Sequence, residues 1–178
     1  MKVSELFEET ERSVTSVMGQ QPEHIARDFF CSYNKLTSLK GAPISIDGNF
    51  NCSNNNLTSL KGGPTSVSGY YYCYENSLTS LEGLPSSMDS LSISCNKITS
   101  LHNIHKIIKR INGAANFSNN PIKSHLLGLL LIDGLTKIWF DDNWPLVRII
   151  NKHLQGERDI FACQEELIEN GFEVFAQL

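Results

Sequence analysis

The chain has no long apolar run. Its longest, from Leu126 to Ile132, is seven residues with Gly128 inside it, whereas a bilayer-spanning helix needs about 20. An excess of positive charge is also missing. Fifteen Lys and Arg face nineteen Asp and Glu, a net charge of −4, which disfavours a phosphate-binding surface made from bulk charge. The opening stretch, Met1 to Glu9, is acidic and amphipathic rather than a basic apolar leader, so no secretory signal is expected. The five cysteines are an odd number and suit a reducing cytosol better than a disulfide framework. Neither a phosphate-cradling glycine loop nor a hydrolase elbow occurs. A cytoplasmic protein of one domain, or of one short repeat array, is the expectation for 178 residues.

What the chain does have is an internal repeat. Cys31-x-x-Asn34-x-Leu36-x-x-Leu39 returns 21 residues later as Cys52-x-x-Asn55-x-Leu57-x-x-Leu60, and again as Cys73-x-x-Asn76-x-Leu78-x-x-Leu81. A fourth copy, Ile93-x-x-Asn96-x-Ile98-x-x-Leu101, follows after 20 residues. Two weaker copies are Phe117-x-x-Asn120-x-Ile122 and Phe140-x-x-Asn143-x-Pro145.

These copies resemble the leucine-rich repeat, whose unit reads L-x-x-L-x-L-x-x-N/C-x-L over about 20–29 residues. Met88-x-x-Leu91-x-Ile93-x-x-Asn96-x-Ile98 matches that pattern closely. In the first three copies Ile25, Ile46 and Val67 replace the initial leucine one residue early, and Gly48 and Gly69 absorb the insertion in the latter two. Pro22, Pro43, Pro64 and Pro85 make the repeats similar to the short bacterial, proline-containing type found in small stand-alone proteins of bacteria and their viruses. The resemblance spans residues 22–145 and implies a right-handed curved α/β solenoid. About six parallel strands would line its concave face, with extended or short helical outer returns.

Alternation within a strand predicts the columns. Phe29, Phe50, Tyr71, Leu91, Ala115 and Ile138 form one inward ladder, and Cys31, Cys52, Cys73, Ile93, Phe117 and Phe140 form the next. The asparagines at 34, 55, 76, 96, 120 and 143 are expected to bond backbone groups that a turn inside a solenoid would otherwise leave unpaired. Helical turns are expected around residues 102–110 and 124–132 in the longer fifth and sixth coils.

Open solenoid ends need covering. Residues 1–21 read as an N-terminal capping helix, with Val3, Leu6, Phe7, Thr10, Val14, Val17 and Met18 on one face and Gly19 as its stop. Residues 146–178 read as a C-terminal helical cap of two helices. Leu146, Ile149, Ile150, His153 and Leu154 form the inner face of the first, and Ile160, Phe161, Gln164, Leu167 and Ile168 that of the second.

Nothing in the pattern marks catalysis. The cysteine spacing of 21 is the repeat itself and not a metal-ligand spacing, so no metal, cofactor or catalytic residue is expected. Asp141 and Asp142 are adjacent, point to opposite sides of a strand and read as a solvated rim. Some bacterial proteins with similar repeats carry a C-terminal ubiquitin-ligase domain with a catalytic cysteine, but Cys163 lies in a segment too short for such a domain.

The outward columns are more informative. The first reads Asp28, Asn49, Tyr70, Ser90, Ala114, Lys137. The second reads Phe30, Asn51, Tyr72, Ser92, Asn116, Trp139, and the third Ser32, Ser53, Tyr74, Ser94, Ser118, Asp141. Large aromatics amid Ser and Asn suit a protein-binding surface, with Phe30, Tyr70, Tyr72, Tyr74, Trp139 and Asp141 as its candidate residues. The alternative is that tyrosine simply favours strands and the rings pack on each other. Lys137 is the one basic residue in the columns, which disfavours single-stranded nucleic acid. The expectation is therefore a non-catalytic module that binds a partner protein. The family resemblance adds a narrower expectation, inhibition of a bacterial toxin or antiviral-defence protein. A self-associating structural subunit is the alternative, followed by an enzyme or a nucleic-acid binder.

Overall fold

A computed structural model describes residues 11–141 and 144–178. The expected helix positions Val3, Leu6, Phe7 and Thr10, together with Asp142 and Asn143, lie outside the described residues.

The repeat folds as a solenoid of six turns built from stacked parallel strands. Each of the first five turns contributes a short strand, then a corner, then a second strand. The short strands are β1 (His24–Ile25), β3 (Ser45–Ile46), β5 (Ser66–Val67), β7 (Ser87–Met88) and β9 (Arg110–Ile111). They stack as one ribbon of three and one of two. The second strands are β2 (Phe29–Phe30), β4 (Phe50–Asn51), β6 (Tyr70–Tyr72), β8 (Ser90–Ser92) and β10 (Ala114–Asn116), joined by β11 (Lys137–Trp139) from the last turn. These six form one parallel sheet in strict chain order.

Register follows the repeat. Phe29 pairs with Phe50, Phe50 with Tyr71, Tyr71 with Leu91, Leu91 with Ala115 and Ala115 with Ile138. All six are buried, as are Cys31, Cys52, Cys73, Ile93 and Phe117 in the next ladder. Phe140, expected in that ladder, stacks on the Phe117 ring but is only partly buried. The opposite wall of the core comes from Leu36, Leu57, Leu78 and Ile98 and from Leu39, Leu60, Leu81 and Leu101, all buried. Each fully buried Leu stabilises the fold by roughly 1.5–3 kcal/mol.

The asparagines hold successive turns together. Asn55 accepts from the amides of Asn34 and Leu36 at 3.0 and 2.9 Å and donates to the carbonyls of Cys31 and Cys52, both at 3.0 Å. Asn76, Asn96 and Asn120 repeat this bridge one, two and three turns on. The residue before each is left-handed: Tyr33, Asn54, Glu75, Cys95 and Asn119 have φ between 52° and 59°. Corners are close-packed, since a Cβ at Gly48 or Gly69 would collide with the preceding coil at Asp28 or Asn49.

The longer returns carry the expected turns, α2 (Ile104–Ile107, after the short N-terminal helix α1, Val14–Met18) and a 3₁₀ helix at Leu127–Leu131. Gly19, with φ of 78°, ends α1. After the last strand come α3 (Trp144–Gln155) and α4 (Ile160–Glu169). Both pack on the 3₁₀ segment, and α3 also lies against β11. Leu146, Ile149, Ile150 and Leu154 of α3 are buried as expected.

The inner face of α4 agrees with the expected one at Ile160, which packs against the core, and at Leu167, and departs from it at Phe161 and Ile168. Cys163 and Leu167 are buried, whereas Phe161 is 78 % and Ile168 47 % exposed. Helical periodicity alone admits either stripe. Asp159 caps this helix by accepting from the amides of Phe161 and Ala162, while Gln164 donates to the Ala176 carbonyl at 3.0 Å. These contacts accompany a face centred on Cys163.

Candidate functional site

The outward face of the six-stranded sheet presents the residues singled out by the columns. Phe30, Asn51, Tyr72, Ser92, Asn116 and Trp139 stand opposite one another in one row across all six strands. Tyr70 pairs with Ser90, and Ala114 with Lys137, in the row beside it.

Tyr70, Tyr72 and Tyr74 come together as a continuous array. Their rings meet edge to face, with centroids 5.7 Å apart for Tyr70–Tyr72 and 6.4 Å for Tyr72–Tyr74. The rings therefore do pack on one another, yet Tyr70 remains 44 % exposed and the other two keep partial exposure. Partial burial, followed by the neighbouring Tyr70, Tyr74 and Asp28, pushes the Tyr72 phenol above its ordinary pKa. The phenol is thus a neutral donor at any physiological pH.

Trp139 stands three strands away and is 42 % exposed. The Lys137 ammonium lies 4.9 Å from its ring centroid, a cation–π contact. Between Trp139 and the tyrosines runs a shallow groove of about 280 Å³, floored by Ser90, Ser92, Ala114 and Asn116. Asp141 lies beyond the end of β11, exposed, with one carboxylate oxygen accepting from the Asn119 amide. Phe30 is not part of this group. It is 55 % exposed on the opposite edge strand, with Asn51 between it and Tyr72.

One outward assignment is corrected. Ser53, placed by the columns on the outward side with Tyr74, is fully buried, and among the described residues its hydroxyl has no partner. Strand β4 stops at Asn51, whose side-chain oxygen accepts from the Ser53 amide at 2.9 Å. The groove floor, outside the expected site residues, also has a signal in the sequence. Two adjacent strands carry no outward side chain larger than Asn between walls of Tyr and Trp.

The thiols stand apart from this surface. Cys31, Cys52, Cys73 and Cys163 are buried and all five cysteines are free. Burial pushes the Cys31 and Cys163 thiols up to about 12, and Cys52 and Cys73 also move upward. Such thiols are poor nucleophiles and poor ligands at neutral pH. Among the described residues no group of three His, Cys, Asp or Glu side chains is placed to hold a metal, and no helix is long and apolar enough to cross a membrane.

Comparison with known proteins adds no relative. No family model matches the chain, and no curated protein or solved structure matches it.

Proposed function

We propose that this chain is a non-catalytic protein-recognition solenoid of the leucine-rich repeat type. On this reading α1, α3 and α4 cap the stack, and the partner docks on the concave side of the six-stranded sheet. The observation that carries the reading is the Tyr70–Tyr72–Tyr74 array facing Trp139 across an open groove. Aromatic rings supply large contact area with few rotatable bonds, which is why they dominate binding hot spots. Uncharged Ser and Asn between them provide hydrogen bonds without the desolvation cost of a charge.

Charge supports a protein over a nucleic acid. Lys137 is the only cation on the three outward rows and is matched by Asp28 and Asp141, so counterion release would contribute little to binding a phosphate chain. The narrower reading is inhibition by occlusion of a bacterial toxin or antiviral-defence protein in the cytoplasm. It rests on the likeness of the repeats to those of small stand-alone bacterial and viral proteins.

Affinity capture tests the proposal, with wild-type protein beside a Tyr72→Ala/Trp139→Ala double variant. A protein retained by the wild type and lost from the equally folded variant supports it. A partner retained equally by both places binding elsewhere and defeats it.

A further inference from the structure

We infer that the groove between the tyrosines and Trp139 is a seat for a single partner α-helix, lying along the strands and antiparallel to β11. This rests on the protein-binding reading and narrows it to one kind of partner element.

The shape comes from three successive rows. The first runs Tyr70, Ser90, Ala114, Lys137, and the second Tyr72, Ser92, Asn116, Trp139. The third, just beyond the strand ends, runs Tyr74, Ser94, Ser118, Asp141. The first two rows read large, small, small, large, so the surface is a trough with a floor two strands wide, and Tyr74 extends the tyrosine wall past the strand ends while Asp141 ends the other wall with a charge. With strands about 4.8 Å apart, the two wall strands are roughly 14 Å apart between backbones, and the tyrosine wall from Tyr70 to Tyr74 is roughly 13 Å long. An α-helix with its side chains is about 10–12 Å across and covers that length with about nine residues. A partner β-sheet fits poorly, because sheets pack face to face on level surfaces and here the two walls would hold it off the floor.

Chemistry agrees with shape. The floor offers hydroxyls and the Asn116 amide, whose oxygen is taken by the Ser118 amide at 2.9 Å, so its NH₂ is left to donate outward. These groups suit small and polar side chains on a helix with an apolar stripe turned to the aromatic walls. The Trp139 wall also has opposite charges at its two ends, Lys137 and Asp141. Among the described residues neither takes part in an ion pair. A helix carries partial positive charge at its N-terminus and negative charge at its C-terminus. Its N-terminus therefore belongs near Asp141 and its C-terminus near Lys137, which fixes the antiparallel direction.

The test uses two displayed peptide libraries of equal length and equal randomised positions. One is built on an Ala-rich helix-forming scaffold, the other on the same scaffold broken by two prolines. Both are selected on the wild-type protein. Binders are then measured on Tyr72→Ala, on Ala114→Trp, which fills the floor, and on Lys137→Glu/Asp141→Lys, which reverses the wall. Ser92→Trp replaces Ala114→Trp if thermal melting shows the latter misfolded. The helical library is expected to yield binders that weaken at least ~30-fold on the filled floor, the effect of about 2 kcal/mol, and at least ~10-fold on the reversed wall. Helical binders that lose affinity on Tyr72→Ala but not on Ala114→Trp overturn the helix seat and leave the protein-binding face standing. Binders indifferent to both overturn the two together. Binders from the proline library alone, or none from the helical one, overturn the helix.

Discussion

Asn151 makes with one side chain both hydrogen bonds that a seventh strand would make to Ile138. Its oxygen accepts from the Ile138 amide at 2.7 Å and its nitrogen donates to the Ile138 carbonyl at 3.0 Å. The edge of the sheet is thereby closed from α3 at its middle residue. Asn151→Leu should destabilise the fold by roughly 1–3 kcal/mol for each group left unpaired. Asn151→Asp keeps the acceptor and, with its carboxyl protonated at acid pH, a donor as well, so at that pH it should cost less. Urea unfolding of both variants checks the order, and wild-type stability for Asn151→Leu would show that water satisfies this edge.

The asparagine ladder should be graded by turn. Asn76 serves the Leu57 amide and the Cys52 and Cys73 carbonyls, whereas among the described residues the side chain of Asn34, on the first turn, donates to Ser32 alone. Asn76→Leu should be strongly destabilising, by several kcal/mol at roughly 1–3 per orphaned group, although it adds apolar volume. Asn34→Leu should cost far less. Equal melting midpoints for the two variants would contradict the bridging role.

Glu75 holds φ of 52°, a region that costs a non-glycine residue roughly 1–2 kcal/mol. Glycine removes that cost but gives back part of it through the greater freedom of the unfolded chain. Glu75→Gly should therefore be neutral to stabilising by up to ~1 kcal/mol, and Glu75→Val, β-branched in the same conformation, should destabilise. Differential scanning calorimetry reads both signs, and a stable Val variant would refute the left-handed step.

Alkaline pH should weaken the fold through the buried thiols. Their folded pKa values are raised, to about 12 for Cys31 and Cys163, against about 8.5 in an unfolded chain. Above pH of about 8.5 the unfolded state releases thiol protons that the native state keeps. The stability they contribute is thus complete below that pH and is lost as pH rises towards 12, by up to ~1.4 kcal/mol per unit and thiol. Urea midpoints at pH 7 and pH 10 measure the loss, which should shrink in Cys52→Ala relative to that variant's own neutral value. In native protein at neutral pH only Cys95, the partly exposed one, should react with a thiol reagent. Five reactive thiols before unfolding would contradict the buried ladder.

Tyr72→Ala should weaken partner binding by at least ~30-fold, because truncating a central aromatic typically costs ~2 kcal/mol or more. Lys61→Ala and Lys106→Ala, on return segments away from the sheet, should leave it nearly unchanged. Calorimetry with the captured partner decides, and the reverse pattern would move binding to the returns.

The sequence by itself determined the stacking of turns, the inward and outward columns and the asparagine bridges. In a repeat each turn's neighbours are copies of itself, so Phe50 meets Phe29 and Tyr71 at the same register wherever the period holds. Spacing along the chain therefore already encodes contact in space. Only the tertiary structure decided what happens where that equivalence ends. It turned Cys163 inward and left Phe161 and Ile168 outside, buried Ser53, and brought Asn151 to the edge of β11. It also set the Tyr72 and Trp139 walls on either side of a floor of Ser92 and Asn116. Residues 151 and 138 occupy no common place in the period. What each meets is set by how α3 docks on the last turn, a long-range packing outcome that local periodicity does not contain.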